Sequence, residues 1–484
     1  MQGKKTYQEK LFVNFHLSDH IPADNFYRRL KEQLDLRFIY KLTAEYYGTE
    51  GQKSIDPVVF MKLILVGYLE NLNSDRHIIA TSRLRLDVLY FIDHDLGEDL
   101  PWHSTLSRTR QLYGEHIFTE LFKQVLKQCI DKGMVSGRRQ AVDGFFIKAN
   151  ASLDSLIEKD IMDDADAYSR ELQDNEESPV PIVKLKKGDE PNDKGLKPKK
   201  NPSNDTHYSP SDPDAKMSVK PGKATALNYL GQVAVDTATH MITHVQAFTA
   251  DKRDSECLAA VLRRVKETLL ESDITLQEIV ADTGYSSADA LKALQASGVT
   301  GYIPNRGQFN YTRAGFTYDA DMDYYQCDKG VKVPYQGTYL TAGYWMKQYS
   351  TGVKGCGKCL QKADCAAFKG KRLLIKETID KPYYDIMHER MQTRKAKLLM
   401  KLRQSTVEPV IGTLVNYLGI KRVNSKGIAQ ANKCLTMAAI AYNLKKMLKH
   451  KVKTTALNLN AFLKRLNLLL NSVLENDNVI LLPV

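Results

Sequence analysis

Three acidic residues, far apart in the chain, restrict the folds that can use them together. Asp143 stands in the middle of an apolar, strand-like run, Arg139-Gln-Ala-Val-Asp-Gly-Phe-Phe-Ile-Lys148. Asp282 closes a second apolar run, Glu278-Ile-Val-Ala-Asp282, before the turn-like Thr283-Gly284-Tyr285. Glu408 belongs to a helical stretch, Ser405-Thr-Val-Glu-Pro-Val-Ile-Gly412, and is expected in the first turn of a helix beginning there. Taken singly, each acid has an ordinary alternative. An Asp after a buried strand often makes a turn, and Ser405-x-x-Glu408 fits a capping box. Taken in order, strand, strand and helix can converge on one site. Carboxylates are ligands for hard cations such as Mg²⁺, and two such ions suit in-line displacement at a phosphodiester.

A chain of 484 residues has room for two or three domains, and 43% hydrophobic residues supply ordinary cores. Lys and Arg total 69 against 57 for Asp and Glu, a net charge of +12. That balance favours a polyanionic partner, most often nucleic acid. The start, Met1-Gln-Gly-Lys-Lys-Thr-Tyr, is polar and lacks the apolar stretch of a signal peptide. The apolar run from Val58 to Leu69 is short and contains Lys62, so it reads as a core helix and not a membrane span. A cytoplasmic protein is expected.

The seven cysteines are unevenly spread. Cys129, Cys257 and Cys434 sit alone in apolar or helical stretches and read as inert core thiols. Cys356-Gly-Lys-Cys359 with Cys365 close behind favours structural Zn²⁺ in a reducing compartment, with Cys327 as the fourth ligand across a Tyr- and Gly-rich loop.

The regions follow from periodicity and composition. Residues 1–135 read as all-helical, with Asp56-Pro57 opening one helix. A short helix from Ser104 offers Arg108 and Arg110 on its polar face, which suits entry into a DNA groove. Residues 136–305 read as β/α, with strands near 140–148, 229–236, 241–248, 277–282 and 300–304 and helices at 255–270 and 287–296. The polar insertion 158–222 carries Lys184-Leu-Lys-Lys187 and Lys197-Pro-Lys-Lys200 and reads as loop, with Asp212-Pro-Asp-Ala215 as a turn near its end. Residues 306–380 hold the cysteine cluster. Residues 381–454 read as basic helices. An apolar stripe, Val407, Val410, Ile411, Leu414 and Leu418, is stopped by Gly419, and a long helix over 428–450 ends in Lys445, Lys446 and Lys449. The tail, 455–484, reads as amphipathic.

These pieces, in this order, resemble a bacterial DDE transposase of an insertion sequence, in the 1182-like family. The matching residues are Pro101-Trp-His-Ser-Thr-Leu-Ser-Arg108, Val142-Asp-Gly144, Asp212-Pro-Asp-Ala215, Val280-Ala-Asp-Thr-Gly-Tyr285, Cys356-Gly-Lys-Cys359, Arg403-Gln-Ser-Thr-Val-Glu-Pro-Val-Ile-Gly412 and Ala441-Tyr-Asn-Leu-Lys-Lys446. The resemblance implies an α/β fold with an RNase H-like catalytic core, a helical DNA-end-binding domain before it, a Cys-rich insertion and helical C-terminal part. It implies that Asp143, Asp282 and Glu408 form the triad holding two Mg²⁺ (or Mn²⁺), with Arg403 close to Glu408. Relatives often carry a basic residue seven positions after the Glu, where this chain has Val415; Lys421 or Arg422 is expected to substitute. The implied partners are double-stranded DNA, as terminal inverted repeats and target, and a second copy of the chain on that DNA, with no membrane and a nucleoid location. A non-catalytic DNA-binding or domesticated relative, and an RNase H-like nuclease without strand transfer, are the alternatives.

Overall fold

The computed structural model describes residues 15–48, 50, 54–72, 74–159, 202–219, 224–306, 313–341, 343–352, 356, 359, 365, 367–369 and 372–450. The tail beyond His450 and the Lys-rich stretches at 184–187 and 197–200 lie outside them.

The N-terminal region is helical, as its periodicity predicts: α1 (Leu17–His20), α2 (Phe26–Gln33), α3 (Phe38–Thr43), α4 (Pro57–Leu69), α5 (Asp75–Arg83), α6 (Leu86–Ile92), α7 (His103–Leu112) and α8 (Glu115–Asp131). Local chemistry sets their starts. Asp56 accepts from Val58 N and Val59 N ahead of Pro57, whose missing N–H costs nothing at that position. Asn25 and Ser74 cap α2 and α5 in the same way. Helix α4 is apolar on nearly every side and buried, Lys62 included; the lysine is ion-paired with Asp93.

The central sheet contains β1 (Arg139–Lys148), β4 (Lys216–Ser218), β5 (Ala226–Asp236), β6 (Ile242–Thr249), β7 (Glu278–Val280) and β8 (Thr300–Tyr302), while β2 (Ile157–Glu158) and β3 (His207–Tyr208) form a separate two-strand ladder. Strand β5 pairs antiparallel with β1 on one side and with β6 and β4 on the other. Strands β1, β7 and β8 run parallel. Helix α9 (Asp254–Leu270) joins β6 to β7, and α10 (Ala288–Ala296) joins β7 to β8. After an insertion come α11 (Lys381–Gln392), α12 (Arg394–Tyr417) and α13 (Ile428–Lys449).

Helix α13 packs on both α8 and β6, so the N-terminal helices and the sheet share one hydrophobic core. Two asparagines fix it there. Asn443 accepts from Ile242 N at 3.0 Å and donates to Ile242 O at 2.8 Å, and Asn432 accepts from Ala247 N at 2.7 Å. Both residues of β6 lie on its open edge, whose backbone groups would otherwise be buried without partners. Asn443→Leu keeps the volume but orphans two such groups. A loss of about 2 kcal/mol is expected in urea denaturation; an unchanged midpoint would show that the bonds carry no stability.

The described residues of the insertion contain six strands, including the stretch after Cys327 expected as a Tyr- and Gly-rich loop. Strands β9 (Phe316–Asp319), β10 (Tyr324–Cys327), β11 (Lys332–Thr341), β12 (Tyr344–Ser350), β13 (Phe368–Lys369) and β14 (Arg372–Thr378) form an antiparallel sheet in the order β13-β14-β12-β11-β10-β9. Its own small core contains Tyr325, Val333, Tyr349, Cys356, Leu373 and Ile375. The tyrosines are the reason: Tyr325 packs on Tyr318 and Tyr349, and its hydroxyl donates to buried Glu377. Aromatic residues favour strands.

Candidate active site

The central sheet brings two of the three acids to one level. The last parallel pair between β1 and β7 is Ala141↔Val280, and Asp143 and Asp282 each follow two residues later, on the same side by strand alternation. Burial pushes the Asp143 carboxyl above its ordinary value; Arg403 opposes that shift and the charge of Asp282 adds to it. Asp143 Oδ1 accepts from Gly144 N at 2.9 Å, and its Oδ2 accepts from Arg403 Nη1 at 3.0 Å. Asp282 Oδ1 accepts from Gly284 N at 2.8 Å, so it also caps the single 3₁₀ turn Thr283–Tyr285.

Helix α12 lies across this end of the sheet, held at two points. Lys395 pairs with Glu278, which also binds Arg139. Burial would raise the Glu278 carboxyl, but these two cations hold it below its ordinary value. Arg403, two turns further on, pairs with Asp143. Its side chain is only 8% exposed, and its Nε has no partner among the described residues.

Glu408 is not in the first turn of its helix. Helix α12 begins at Arg394, where Thr393 Oγ1 accepts from Ala396 N. Ser405 is therefore mid-helix and donates back to Leu402 O, so no capping box forms. Pro409 lies inside the helix, where it supplies no N–H to the Ser405 carbonyl. Glu408 is exposed and makes no ion pair among the described residues. Gly412, one turn on, has open space where a Cβ would be. Among the described residues no group of three His, Cys, Asp or Glu stands in metal-holding geometry. The donor chemistry, oxygen only, nonetheless fits a hard divalent cation, and the Arg403 guanidinium already places one positive charge against Asp143.

Asp212-Pro-Asp-Ala215 is more than a turn. Buried Asp212 accepts from Tyr229 Oη at 2.6 Å and from Gly427 N at 3.1 Å, while Asp214 accepts from Ile428 N at 2.9 Å. The motif caps the start of α13 and ties it to β5. Asp254, at the start of α9, escapes notice in the sequence because an acid in a first turn is common. It stands beside the Asp143–Asp282 pair.

The expected DNA-contacting cations divide into two groups. Arg108, Lys421, Arg422 and Lys449 are exposed, although Arg422 also donates to Asn150 Oδ1 at 2.8 Å. Four others expected to contact DNA are engaged within the chain: buried Arg403 pairs with Asp143, Arg110 binds Asp75 through two nitrogens at 2.6 and 3.0 Å, Lys445 donates to Leu69 O at 2.7 Å, and Lys446 donates to Thr239 O.

Burial raises the Cys356 thiol, and Cys327, Cys359 and Cys365 all act on it in the same direction, so each lies within electrostatic reach of Cys356. Cys359 N donates to Cys356 O at 3.2 Å. The two buried cysteines elsewhere, Cys129 and Cys257, have thiols pushed up to about 12 by burial, which makes them inert.

A family model described as a transposase domain (DUF772) matches residues 15–112, and one described as a transposase DDE domain matches residues 326–448. Both matched stretches are thus similar to transposase domains, the second to a DDE domain, and together they support a DDE transposase. Glu408 lies within the second match; Asp143 and Asp282 lie between the two. No curated protein matches. A solved piggyBac transposase synaptic complex with hairpin DNA aligns at 8% identity over 91% of this chain and 83% of that one, with a TM-score of 0.24. A Mos1 transposase paired-end complex aligns at 8% identity over 55% and 64%, with a TM-score of 0.16. Scores so low carry no weight for the fold or site. No helix among the described residues is long and apolar enough to cross a membrane.

Proposed function

We propose that the chain binds the terminal inverted repeats of its element, cleaves DNA there and joins the ends to target DNA, using an RNase H-like core. The observation that carries this is the placement of Asp143, midway along β1, beside Asp282, just past the end of the adjacent parallel strand β7, with α12 pinned to Asp143 by Arg403. The strand order, with β6-β5-β1 antiparallel and β1-β7-β8 parallel, supports the RNase H-like reading. Asp143, Asp282 and Glu408 would hold the Mg²⁺ or Mn²⁺ ions. Such ions, when bound, activate a water or 3′-hydroxyl and stabilise the leaving oxygen. The chain's own part is to orient. Gly144 N and Gly284 N each fix one carboxylate oxygen, while the second oxygen of Asp143 accepts from Arg403 and that of Asp282 would face a cation. Arg403 neutralises Asp143 until a cation arrives. Glu408 completes the set from the open face of α12.

The helical residues 1–135 would read the repeat, the Cys-rich insertion 306–380 would fold around Zn²⁺, and the core segments 136–305 and 381–454 would carry the chemistry. Two ends must be held together, so the working unit would be a dimer on DNA, in the cytoplasm at the nucleoid. Arg108, Lys421, Arg422 and Lys449 are the proposed DNA contacts, because their charges face outward. Arg110, Lys445 and Lys446 would act by holding α7 and α13 in place.

Affinity for end and random duplexes across a salt series tests this assignment. Changing Lys421, Arg422 and Lys449 together to Ala should weaken both duplexes equally and lower the salt slope by about 3, one per phosphate contact. Arg108→Ala should cost the end about tenfold relative to random DNA, since base contacts specify. Equal loss on both duplexes for Arg108→Ala would remove it from sequence reading.

A further inference from the structure

The carboxylate of Asp254 occupies a slot built by two glycines. A Cβ on Gly144, the residue after Asp143, would stand 2.1 Å from Asp254 Oδ1. A Cβ on Gly284, two residues after Asp282, would stand 3.3 Å from Asp254 Oδ2 and 2.9 Å from Asp282 Oδ1. No side chain fits at position 144 without displacing Asp254. Both neighbours of the proposed metal ligands are thus glycines, and what fills the space is a third acid.

A hydrogen-bonded chain continues from it. Asp254 Oδ1 accepts from Gln232 Nε2 at 2.6 Å. Gln232 is fully buried on β5, directly opposite Gly144, and its Oε1 accepts from Tyr285 Oη. Tyr285 is fully buried and ends the turn that Asp282 caps. Asp254 is therefore linked to the Asp282 turn through Gln232 and Tyr285, and it faces the Asp143 strand directly. Three acids, Asp143, Asp254 and Asp282, all act on the Tyr285 hydroxyl with the same sign. Among the described residues Asp143 is paired with Arg403, whose side chain is more than nine-tenths buried.

We propose that Asp254 is a further positioning carboxylate of the metal centre, raising its affinity for a divalent cation and fixing the turn that presents Asp282. The proposal rests on the reading of Asp143 and Asp282 as metal ligands. A carboxylate held there adds attraction for a cation at a partly buried site. Its bond to Gln232 keeps the Asp282 turn in register with β1.

Electron paramagnetic resonance of Mn²⁺ titrated into the full chain, without DNA, reads metal affinity independently of cleavage. Asp254→Asn keeps the size and can still accept from Gln232, and it should weaken Mn²⁺ binding about tenfold. Gly144→Ala, which leaves every acid in the sequence, should weaken it comparably by pushing Asp254 out of its slot, and it serves if Asp254→Asn does not fold. Asp143→Asn is the reference. If Asp143→Asn lowers Mn²⁺ affinity while folded Asp254→Asn, or Gly144→Ala in its stead, stays within twofold of the parent, the role of Asp254 is overturned. If Asp143→Asn itself leaves binding unchanged, the underlying metal-site reading fails instead.

Discussion

Asp143→Asn, Asp282→Asn and Glu408→Gln are each expected to lower DNA-end cleavage by about a thousandfold or more while sparing end binding. Each change removes a ligand charge with little change of size, and a bound metal contributes several kcal/mol of transition-state stabilisation, where each 1.36 kcal/mol is tenfold in rate. The three differ in what else they disturb. Asp143→Asn leaves the buried Arg403 guanidinium facing a neutral amide, so its melting temperature should fall as well. Asp282→Asn retains an oxygen able to accept from Gly284 N. Glu408 is exposed and unpaired among the described residues, so Glu408→Gln should leave stability unchanged and act on cleavage alone. Gel assays of end binding and cleavage, beside melting curves, separate these effects. Substantial Mg²⁺-dependent cleavage by any one variant would remove that residue from the triad.

Loss of Zn²⁺ is the second large effect expected. Among the described residues the insertion sheet has its own small core with Cys356 in it, and small cores gain most from a metal staple. Structural Zn²⁺ in small domains is worth about 10 kcal/mol or more. Cys356→Ser should therefore release about one zinc per chain and open the insertion to protease. The core helices should stay protected, because they belong to a separate cluster. Cys129→Ala, a buried thiol outside the cluster, should retain the metal. Purified protein that contains no zinc yet folds and cuts normally would refute the zinc site.

The parts of the fold legible in the sequence are those with local causes. The run around Asp143 is apolar on both faces, as a central strand must be, and it emerged as β1. Asp56-Pro57 and Gly419 mark helix ends by backbone chemistry alone: α4 starts at Pro57 and α12 stops at Tyr417, two residues before Gly419. Glu408 shows where a local signal misleads. Ser405-x-x-Glu408-Pro409 imitates a helix start, but the packing of Ala396, Leu399 and Arg403 carries the helix back to Thr393. The insertion sheet was hidden because its glycines and tyrosines suit loops as readily as strands until the partner strands are known. The cations were opaque for the same reason: the partner of Arg110 is Asp75, and Lys446 reaches a carbonyl at Thr239. Asp254 was missed because its neighbours in space, Gly144 and Gly284, are distant in sequence.

The central claim is metal-dependent cleavage and joining at the ends of the element. The direct measurement supplies purified full-length chain with a supercoiled plasmid carrying the inverted repeats that flank its gene, and scores cut and joined products with and without Mg²⁺. The account predicts cleavage at the repeat ends and covalent joining to target DNA, both lost on chelation and in Asp143→Asn. Tight, salt-dependent binding to the ends with no cleavage at any Mg²⁺ or Mn²⁺ concentration would contradict it and leave a DNA-binding relative without catalysis. Cleavage without any joined product would contradict it as well, in favour of a nuclease.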